Sequence, residues 1–127
     1  MPRIGLTAIA MRFFLHADET LTFLGQAETD GSFLIFSGAG DDVLVGGAQA
    51  DEIWGGAGSD RLYGLGGDDT LYGGLDSDFL YGGTGRDTFG YTSVAESTGL
   101  NFDTLDTLEP RIDKIDLAGA FAFAGWT

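Results

Sequence analysis

From Ser37 to Gly90 the chain repeats every nine residues, as SGAGDDVLV, GGAQADEIW, GGAGSDRLY, GLGGDDTLY, GGLDSDFLY and GGTGRDTFG. The sixth position of every copy is aspartate, the eighth is apolar, and glycine fills most first, second and fourth positions. A short period that stays in register over six copies is typical of a solenoid. The aspartates are Asp42, Asp51, Asp60, Asp69, Asp78 and Asp87, and the apolar residues are Leu44, Ile53, Leu62, Leu71, Leu80 and Phe89.

Each copy divides into a six-residue loop and a three-residue strand. Glycine permits the tight left-handed turns of the loop, and the strand reads x-apolar-x, so that one side chain points inward. Two copies, or 18 residues, complete one coil, so odd loops stack on one side and even loops on the other. Strands one coil apart then pair in parallel, about 4.8 Å from one another. We therefore predict an all-β protein, a right-handed parallel β-roll of nonapeptide half-coils with terminal caps.

The stacked aspartates call for a counter-ion. One buried apolar side chain per half-coil returns about 1.5–3 kcal/mol, whereas ordering the backbone costs roughly 1–2 kcal/mol for each residue. Calcium accepts about six to eight carboxylate and carbonyl oxygens, so ions between same-side loops would neutralise the aspartates and join the loops. The neighbouring pairs 42/60, 60/78, 51/69 and 69/87 predict about four ions, with more at the ends. The predicted ligands are the carboxylates of Asp42, Asp51, Asp60, Asp69, Asp78 and Asp87 and the backbone carbonyls of Gly38, Gly40, Gly47, Gly56, Gly58, Gly67, Gly74, Gly83 and Gly85.

The pattern G-G-x-G-x-D-x-apolar-x resembles the RTX (repeats-in-toxin) hemolysin-type calcium-binding repeat. The match covers 54 of the 127 residues. The resemblance implies a parallel β-roll with calcium between its loops. It also implies a secreted, extracellular bacterial protein, which the type I secretion machinery exports unfolded and which folds outside the cell.

Several loop positions depart from the repeat. Ser37 replaces the first glycine of copy one, and Leu65 replaces the second glycine of copy four. Gln49 and Asp76 replace the fourth glycine of copies two and five. Because aspartate tolerates a left-handed backbone better than glutamine or leucine does, we expect the side with loops two and four to bind calcium less tightly than the side with loops three and five.

The sequence on either side of the repeats loses the period. We predict three segments: an N-terminal cap with lead-in strands at 1–36, the calcium roll at 37–90, and a C-terminal cap at 91–127 that is either truncated or a secretion-signal region. In the first segment, residues 21–24 and 32–36 are predicted strands. A cleaved signal peptide is the alternative for its apolar start. Glu28 and Asp30 are candidate ligands of an end calcium, with solvated loop acids as the alternative.

Two short stretches of the third segment, Asp103-Thr-Leu and Asp113-Lys-Ile-Asp-Leu, resemble the region that follows the repeats in serralysin-type RTX proteins. We expect apolar residues there to pack over the last coil, namely Leu105, Leu108, Ile112, Ile115 and Leu117. Candidate peripheral calcium ligands, for which a plain surface role is the alternative, are Asp103, Asp106, Asp113 and Asp116.

The outward ninth positions carry aromatic residues. The strand alternation places Trp54 beside Tyr72 on one sheet and Tyr63 beside Tyr81 on the other. Such cross-strand pairs stabilise a sheet by roughly 0.2–1 kcal/mol each. We therefore prefer a structural role, and a platform for a sugar or a protein ligand is the alternative.

Composition excludes several classes of protein. A net charge of −14 argues against nucleic acid and anionic membranes as partners. No cysteine is present, which rules out disulfide and thiolate chemistry, and no apolar segment is long enough to span a membrane.

We predict no catalytic residues. The single histidine, His16, lies outside any motif, and neither H-E-x-x-H nor a Ser-His-Asp arrangement is supported. The sequence therefore predicts a non-enzymatic calcium-binding module. The alternatives are an adhesion or carbohydrate-binding module, and the non-catalytic C-terminal region of a secreted hydrolase such as a serralysin-type metalloprotease.

Overall fold

The computed structural model describes residues 10–17, 19–26, 31–91, 103–106 and 113–116. Eleven β-strands and no helix occur among these residues. None of the described residues forms a helix long and apolar enough to cross a membrane. The strands are β1 (Ala10–Ala17), β2 (Thr22–Leu24), β3 (Ser32–Gly38), β4 (Val43–Val45), β5 (Glu52–Gly56), β6 (Arg61–Tyr63), β7 (Thr70–Gly74), β8 (Phe79–Tyr81), β9 (Thr88–Gly90), β10 (Thr104–Asp106) and β11 (Lys114–Asp116).

The strands form two parallel sheets. One has six strands in the order β1-β3-β5-β7-β9-β11, and the other has five in the order β10-β8-β6-β4-β2. Consecutive strands from β1 to β9 alternate between the sheets, so each coil adds one strand to each. Within the repeats the paired residues are 18 apart, as in Leu44 with Leu62. The predicted parallel β-roll of nonapeptide half-coils is therefore confirmed.

The eighth positions of the repeats form the core between the sheets. All six of these side chains, from Leu44 to Phe89, are 0% exposed. Phe33 and Ile35 continue the core on the N-terminal side, and Phe23 and Leu105 pack against it. One inward residue per half-coil is thus enough to fill the space between two closely spaced sheets.

Flanking strands prolong both ends of the roll. The predicted strands at 21–24 and 32–36 are present as β2 and β3, and β10 and β11 pair in parallel with β8 and β9. Leu105 packs on the core as expected. Ile115 lies in register with Phe89, the core residue of the last repeat, but it is 44% exposed because β11 is the last strand of its sheet and no described coil covers it. The expectations that lie outside the described residues concern Glu28, Asp30, Leu108, Ile112 and Leu117.

Outward aromatic side chains form a row along each sheet, as the sequence predicts. The ring centroids of Trp54 and Tyr72 are 3.8 Å apart with an interplanar angle of 12°. Phe36 continues this row at 5.6 Å from Trp54, and Tyr63 lies 5.8 Å from Tyr81 on the other sheet. Because the rings of Trp54 and Tyr72 cover each other's faces, this packing favours the structural role over a sugar platform.

Glycine is required where successive loops approach one another. Gly74 takes φ +96°, and a Cβ there would collide with the carbonyl oxygen of Gly56, one coil earlier. At the third position of copy four, Gly66 does not need the left-handed region, and a Cβ would lie 3.3 Å from the carbonyl oxygen of Ala48. The two glycines therefore form a matched pair for mutation.

Replacing Gly74 with alanine should lower the free energy of unfolding by about 1–3 kcal/mol, because the left-handed backbone becomes strained and two loops are forced apart. Gly66→Ala should cost clearly less. Urea unfolding at saturating calcium measures both values. Equal losses would show that the close approach of the loops does not limit stability.

Candidate metal centre

The loops share one backbone shape, with one exception. Their second and fourth positions are left-handed in copies one, three, four, five and six. Leu65 and Asp76 adopt this conformation at φ 73°, where other copies have glycine. In loop two (46–51) neither Gly47 nor Gln49 is left-handed. Loop four thus keeps the shared shape despite the strain at Leu65, and loop two does not.

Each repeat aspartate reaches the coil before its own. Asp60 Oδ1 accepts a hydrogen bond from the backbone N–H of Asp42 at 2.8 Å, and Asp78 Oδ1 accepts one from Asp60 at 2.8 Å. Asp42, Asp60 and Asp78 form the odd row, and the even row of Asp51, Asp69 and Asp87 repeats this pattern. All six repeat aspartates are only 1–3% exposed. The two predicted rows of aspartates are therefore present, and they are buried.

The second carboxylate oxygens of these rows lack protein donors. Among the described residues, no hydrogen-bond donor reaches the buried Oδ2 atoms of Asp42, Asp60, Asp69 and Asp78. A buried polar atom without a partner is destabilising, and a bare carboxylate oxygen more so. These atoms are therefore suited to binding a cation.

Glycine at the first loop position leaves the space for such a cation. A Cβ at Gly55 would lie 2.5 Å from Asp60 Oδ2 and 2.8 Å from the carbonyl oxygen of Gly73, the first residue of the next loop on that side. A carboxylate and a carbonyl oxygen thus converge where a side chain would otherwise sit. The sequence-based ligand set did not include first-position carbonyls, because their direction depends on how the loops stack.

Second- and fourth-position carbonyls also face the next loop on the same side. A Cβ at Gly56 would meet the carbonyl oxygen of Gly38, and one at Gly58 would meet that of Gly40. The Gly38 carbonyl already accepts the N–H of Ala57 at 3.0 Å, which leaves it a second lone pair. No three histidine, cysteine or acidic side chains of the described residues converge to hold a metal. The oxygen donors here combine carboxylates with backbone carbonyls, a set that suits a hard dication.

The buried rows carry strongly shifted carboxyl groups. Burial raises the pKa of Asp60 to about 7, that of Asp78 to about 8 and that of Asp69 to about 9. The N–H groups of the preceding coil lower these pKa values, and neighbouring carboxylates raise them. Without a cation, the carboxyl groups of Asp78 and Asp69 therefore favour the protonated form at neutral pH.

Comparison with protein-family models decides the identity of this segment. The model of the RTX calcium-binding nonapeptide repeat, which spans four copies, matches residues 36–71 and again residues 54–89. These residues are RTX calcium-binding nonapeptide repeats. The resemblance to the RTX repeat is thus confirmed, and calcium is the cation that such repeats bind. The resemblance of the C-terminal stretches to serralysin-type proteins stays a prediction. A search of curated proteins found no significant match.

In loop two of the RTX roll, the aspartate carboxylate accepts a hydrogen bond from its own loop. Asp51 Oδ2 accepts the backbone N–H of Gly47 at 2.8 Å, within the same loop. Burial raises the pKa of Asp51, and the N–H groups of Gly47 and Phe33 lower it. Oδ2 accepts no hydrogen bond from a described residue in Asp69, whereas in Asp51 it already accepts the N–H of Gly47. This contact agrees with the expected weaker calcium binding on the side of loops two and four, which stays a prediction.

Fifth-position acids add a second set of contacts between RTX loops. Asp41 Oδ1 accepts the N–H of Ser59, and Asp68 Oδ1 accepts the N–H of Arg86, each at 2.8 Å across one coil. Sequence reasoning missed this role, although the adjacent acids Asp41-Asp42 and Asp68-Asp69 were the available signal. These acids join loops through hydrogen bonds on the outer side of the rows.

The aspartate rows end differently at the two ends of the roll. At the N-terminal end, Leu21 and Phe33 donate their N–H groups to Asp42 and Asp51 and supply no carboxylate themselves. At the C-terminal end, carboxylates continue both rows, since Asp103 Oδ1 accepts the N–H of Asp78 at 3.0 Å and Asp113 Oδ1 accepts that of Asp87 at 2.8 Å. The D-x-apolar-D spacing of both segments was the sequence signal for this continuation.

The raised pKa values of Asp60, Asp69 and Asp78 predict how the stability of the calcium-free roll depends on pH. In the calcium-free roll these carboxyl groups bind protons more tightly than the unfolded chain, so their stabilising effect is complete below the ordinary aspartate pKa of 3.8 and is lost as pH rises through about 7 to 9. With a chelator present, the β-sheet signal in far-UV circular dichroism should therefore be larger at pH 5 than at pH 9. Asp69→Asn should weaken this dependence. A larger signal at pH 9 would contradict the prediction.

Proposed function

We propose that the chain is a secreted, non-enzymatic calcium-binding module whose roll becomes ordered when calcium binds. The observation that carries the proposal is the pair of buried aspartate rows, in which Asp42, Asp60, Asp69 and Asp78 each leave one oxygen without a donor among the described residues. Such rows are unfavourable when ionised and uncompensated.

The two oxygens of each carboxylate have different tasks in this proposal. Oδ1 holds the backbone of the preceding coil, as Asp60 does for Asp42. Oδ2, together with carbonyls such as that of Gly73, would hold the ion. Calcium, when bound, supplies the positive charge that cancels repulsion along a row and joins neighbouring loops. Ordering of the backbone and ionisation of the row are thereby coupled.

The proposed ligand set extends that of the sequence. It retains the six repeat aspartates and the second- and fourth-position carbonyls, and it adds the first-position carbonyls of Gly64, Gly73 and Gly82. Loop two contributes least, because Asp51 has both oxygens occupied by N–H donors. The division into an N-terminal cap (1–36), a calcium roll (37–90) and a C-terminal cap (91–127) remains part of the proposal.

Calcium concentration would act as the switch between compartments. Extracellular modules bind calcium at about 10⁻⁴–10⁻³ M, well above cytosolic levels. With a net charge of −14 the chain repels itself when calcium is scarce. It would therefore stay unfolded in the cytosol, in a form suited to type I export, and fold outside. RTX repeats are typical of secreted bacterial proteins, which supports this assignment.

Far-UV circular dichroism during a calcium titration of chelated protein tests the proposal. A transition from coil to β-sheet near millimolar calcium is expected at pH 7.5, and magnesium at equal concentration should not produce it, because it dehydrates reluctantly and demands octahedral geometry. A chain that is already folded in chelator would contradict calcium-driven folding. Calcium would then only add to the stability of a roll held by its core.

Row position predicts how single variants behave. Asp60 has an aspartate on each side in its row, Asp42 and Asp78. Asp42 has an aspartate on one side only, because Leu21 takes the next place in the row on the other side. Asparagine keeps the Oδ1 acceptor and removes the charge. We therefore expect Asp60→Asn to raise the calcium midpoint of folding several-fold more than Asp42→Asn does, as followed by Trp fluorescence. Equal shifts would argue against ions shared between neighbouring loops.

A further inference from the structure

Asp103 occupies the sixth position of a half-coil that the repeat pattern does not reveal. Its Oδ1 accepts the N–H of Asp78 at 3.0 Å, as Asp78 accepts that of Asp60 at 2.8 Å. Thr104 then donates its N–H to the carbonyl of Asp78 at 2.8 Å. Leu105 packs on the core, in register with Leu80 of β8. The register of the odd row thus continues, although 25 residues rather than 18 separate these aspartates.

A buried, unsatisfied oxygen lies at this step. Asp78 is 3% exposed, and no donor among the described residues reaches its Oδ2. The same feature marks Asp42 and Asp60 in the row of the RTX repeats. The step from Asp78 to Asp103 therefore has the features of the steps within the repeats: a sixth-position aspartate on each loop and an open carboxylate oxygen on the earlier one.

We propose that Asp103 is a calcium ligand, and that a further ion shared with Asp78 joins the C-terminal segment to the roll. The proposal rests on the calcium-binding function proposed above. It adds one step, 78/103, to the two that the odd row has within the repeats, 42/60 and 60/78.

This site would strengthen the short attachment of the described residues 103–106 to the roll. β10 is three residues long and pairs with β8 through three residue pairs. Three ladder pairs and the partly buried Leu105 are a weak attachment for a strand that returns after a long connection. At the opposite end, Leu21 takes the equivalent place in the row. The odd row would thus end at an apolar residue on its N-terminal side and at an ion on its C-terminal side.

A plain hydrogen-bond acceptor is the competing role for Asp103. Asparagine would fill that role equally well, because it keeps Oδ1 for the N–H of Asp78. Replacing Asp103 with asparagine removes only the negative charge, so it weakens a calcium ligand and leaves a hydrogen-bond acceptor unchanged. Asp116 is a matched control, since it also lies in a short C-terminal strand but pairs with Gly90 at the outward ninth position and not in an aspartate row. This position favours the plain surface role for Asp116 over the role of calcium ligand.

The test compares Asp103→Asn and Asp116→Asn with the unmodified full chain. Native mass spectrometry at the lowest calcium concentration that fully loads the unmodified chain counts the bound ions, because an asparagine carbonyl can still bind calcium weakly at higher concentrations. Hydrogen exchange follows the amides of 104–106. We expect Asp103→Asn to bind one ion fewer and to exchange faster at 104–106, and Asp116→Asn to match the unmodified chain. Equal ion counts for all three proteins would overturn the proposal. An unmodified chain that binds no calcium would instead overturn the proposed function.

A second variant covers the case in which Asp103→Asn does not reach the β-sheet signal of the unmodified chain. Asp103→Glu keeps the charge and moves it by one methylene. Its calcium titration should show weaker binding of one ion and unchanged binding of the others. Unchanged affinity for every ion would overturn the proposal.

Discussion

The rest of the structure depends on the aspartate carboxylate that is buried and only half satisfied. One oxygen, as in Asp60, holds the backbone of the preceding coil, so the side chain cannot leave without loss of a coil-to-coil hydrogen bond. The other oxygen has no donor among the described residues. The chain therefore keeps its charges in the interior, next to a core that supplies one apolar side chain per half-coil. A stack of this kind is stable only where protons or cations compensate the charge.

This constraint explains the sequence of the loop more fully than turn geometry does. The first glycine leaves room for the carboxylate of its own copy, as Gly55 does for Asp60. The second and fourth glycines allow the left-handed turns that bring carbonyls towards the next loop. Leu65 shows that a turn can be kept at the cost of strain. Loop two shows the other outcome, in which the turn is not left-handed and Asp51 Oδ2 accepts the N–H of Gly47 in the same loop.

The period, the aspartates and the eighth-position residues were enough to predict the two sheets, their register and the two rows, because each follows from stacking identical half-coils. The closure of Asp51 on Gly47 was not predictable, because it depends on the backbone that Gln49 adopts. The D-x-apolar-D spacing made Asp103 a candidate ligand, but the longer connection before it hid which row it continues. The exposure of Ile115 follows from its strand being last, which a local pattern does not reveal.

The alternation of strands between two sheets also limits how such a protein can change in length. Loss or gain of a single nonapeptide would transfer every later half-coil to the opposite side and so mix the odd and even rows. If the change fell between Trp54 and Tyr72, their stacked rings would lie on opposite sheets. Loss or gain of two copies, one full coil of 18 residues, leaves each side in register. The unit of duplication in this roll is therefore the coil, although the unit of sequence repetition is half of it.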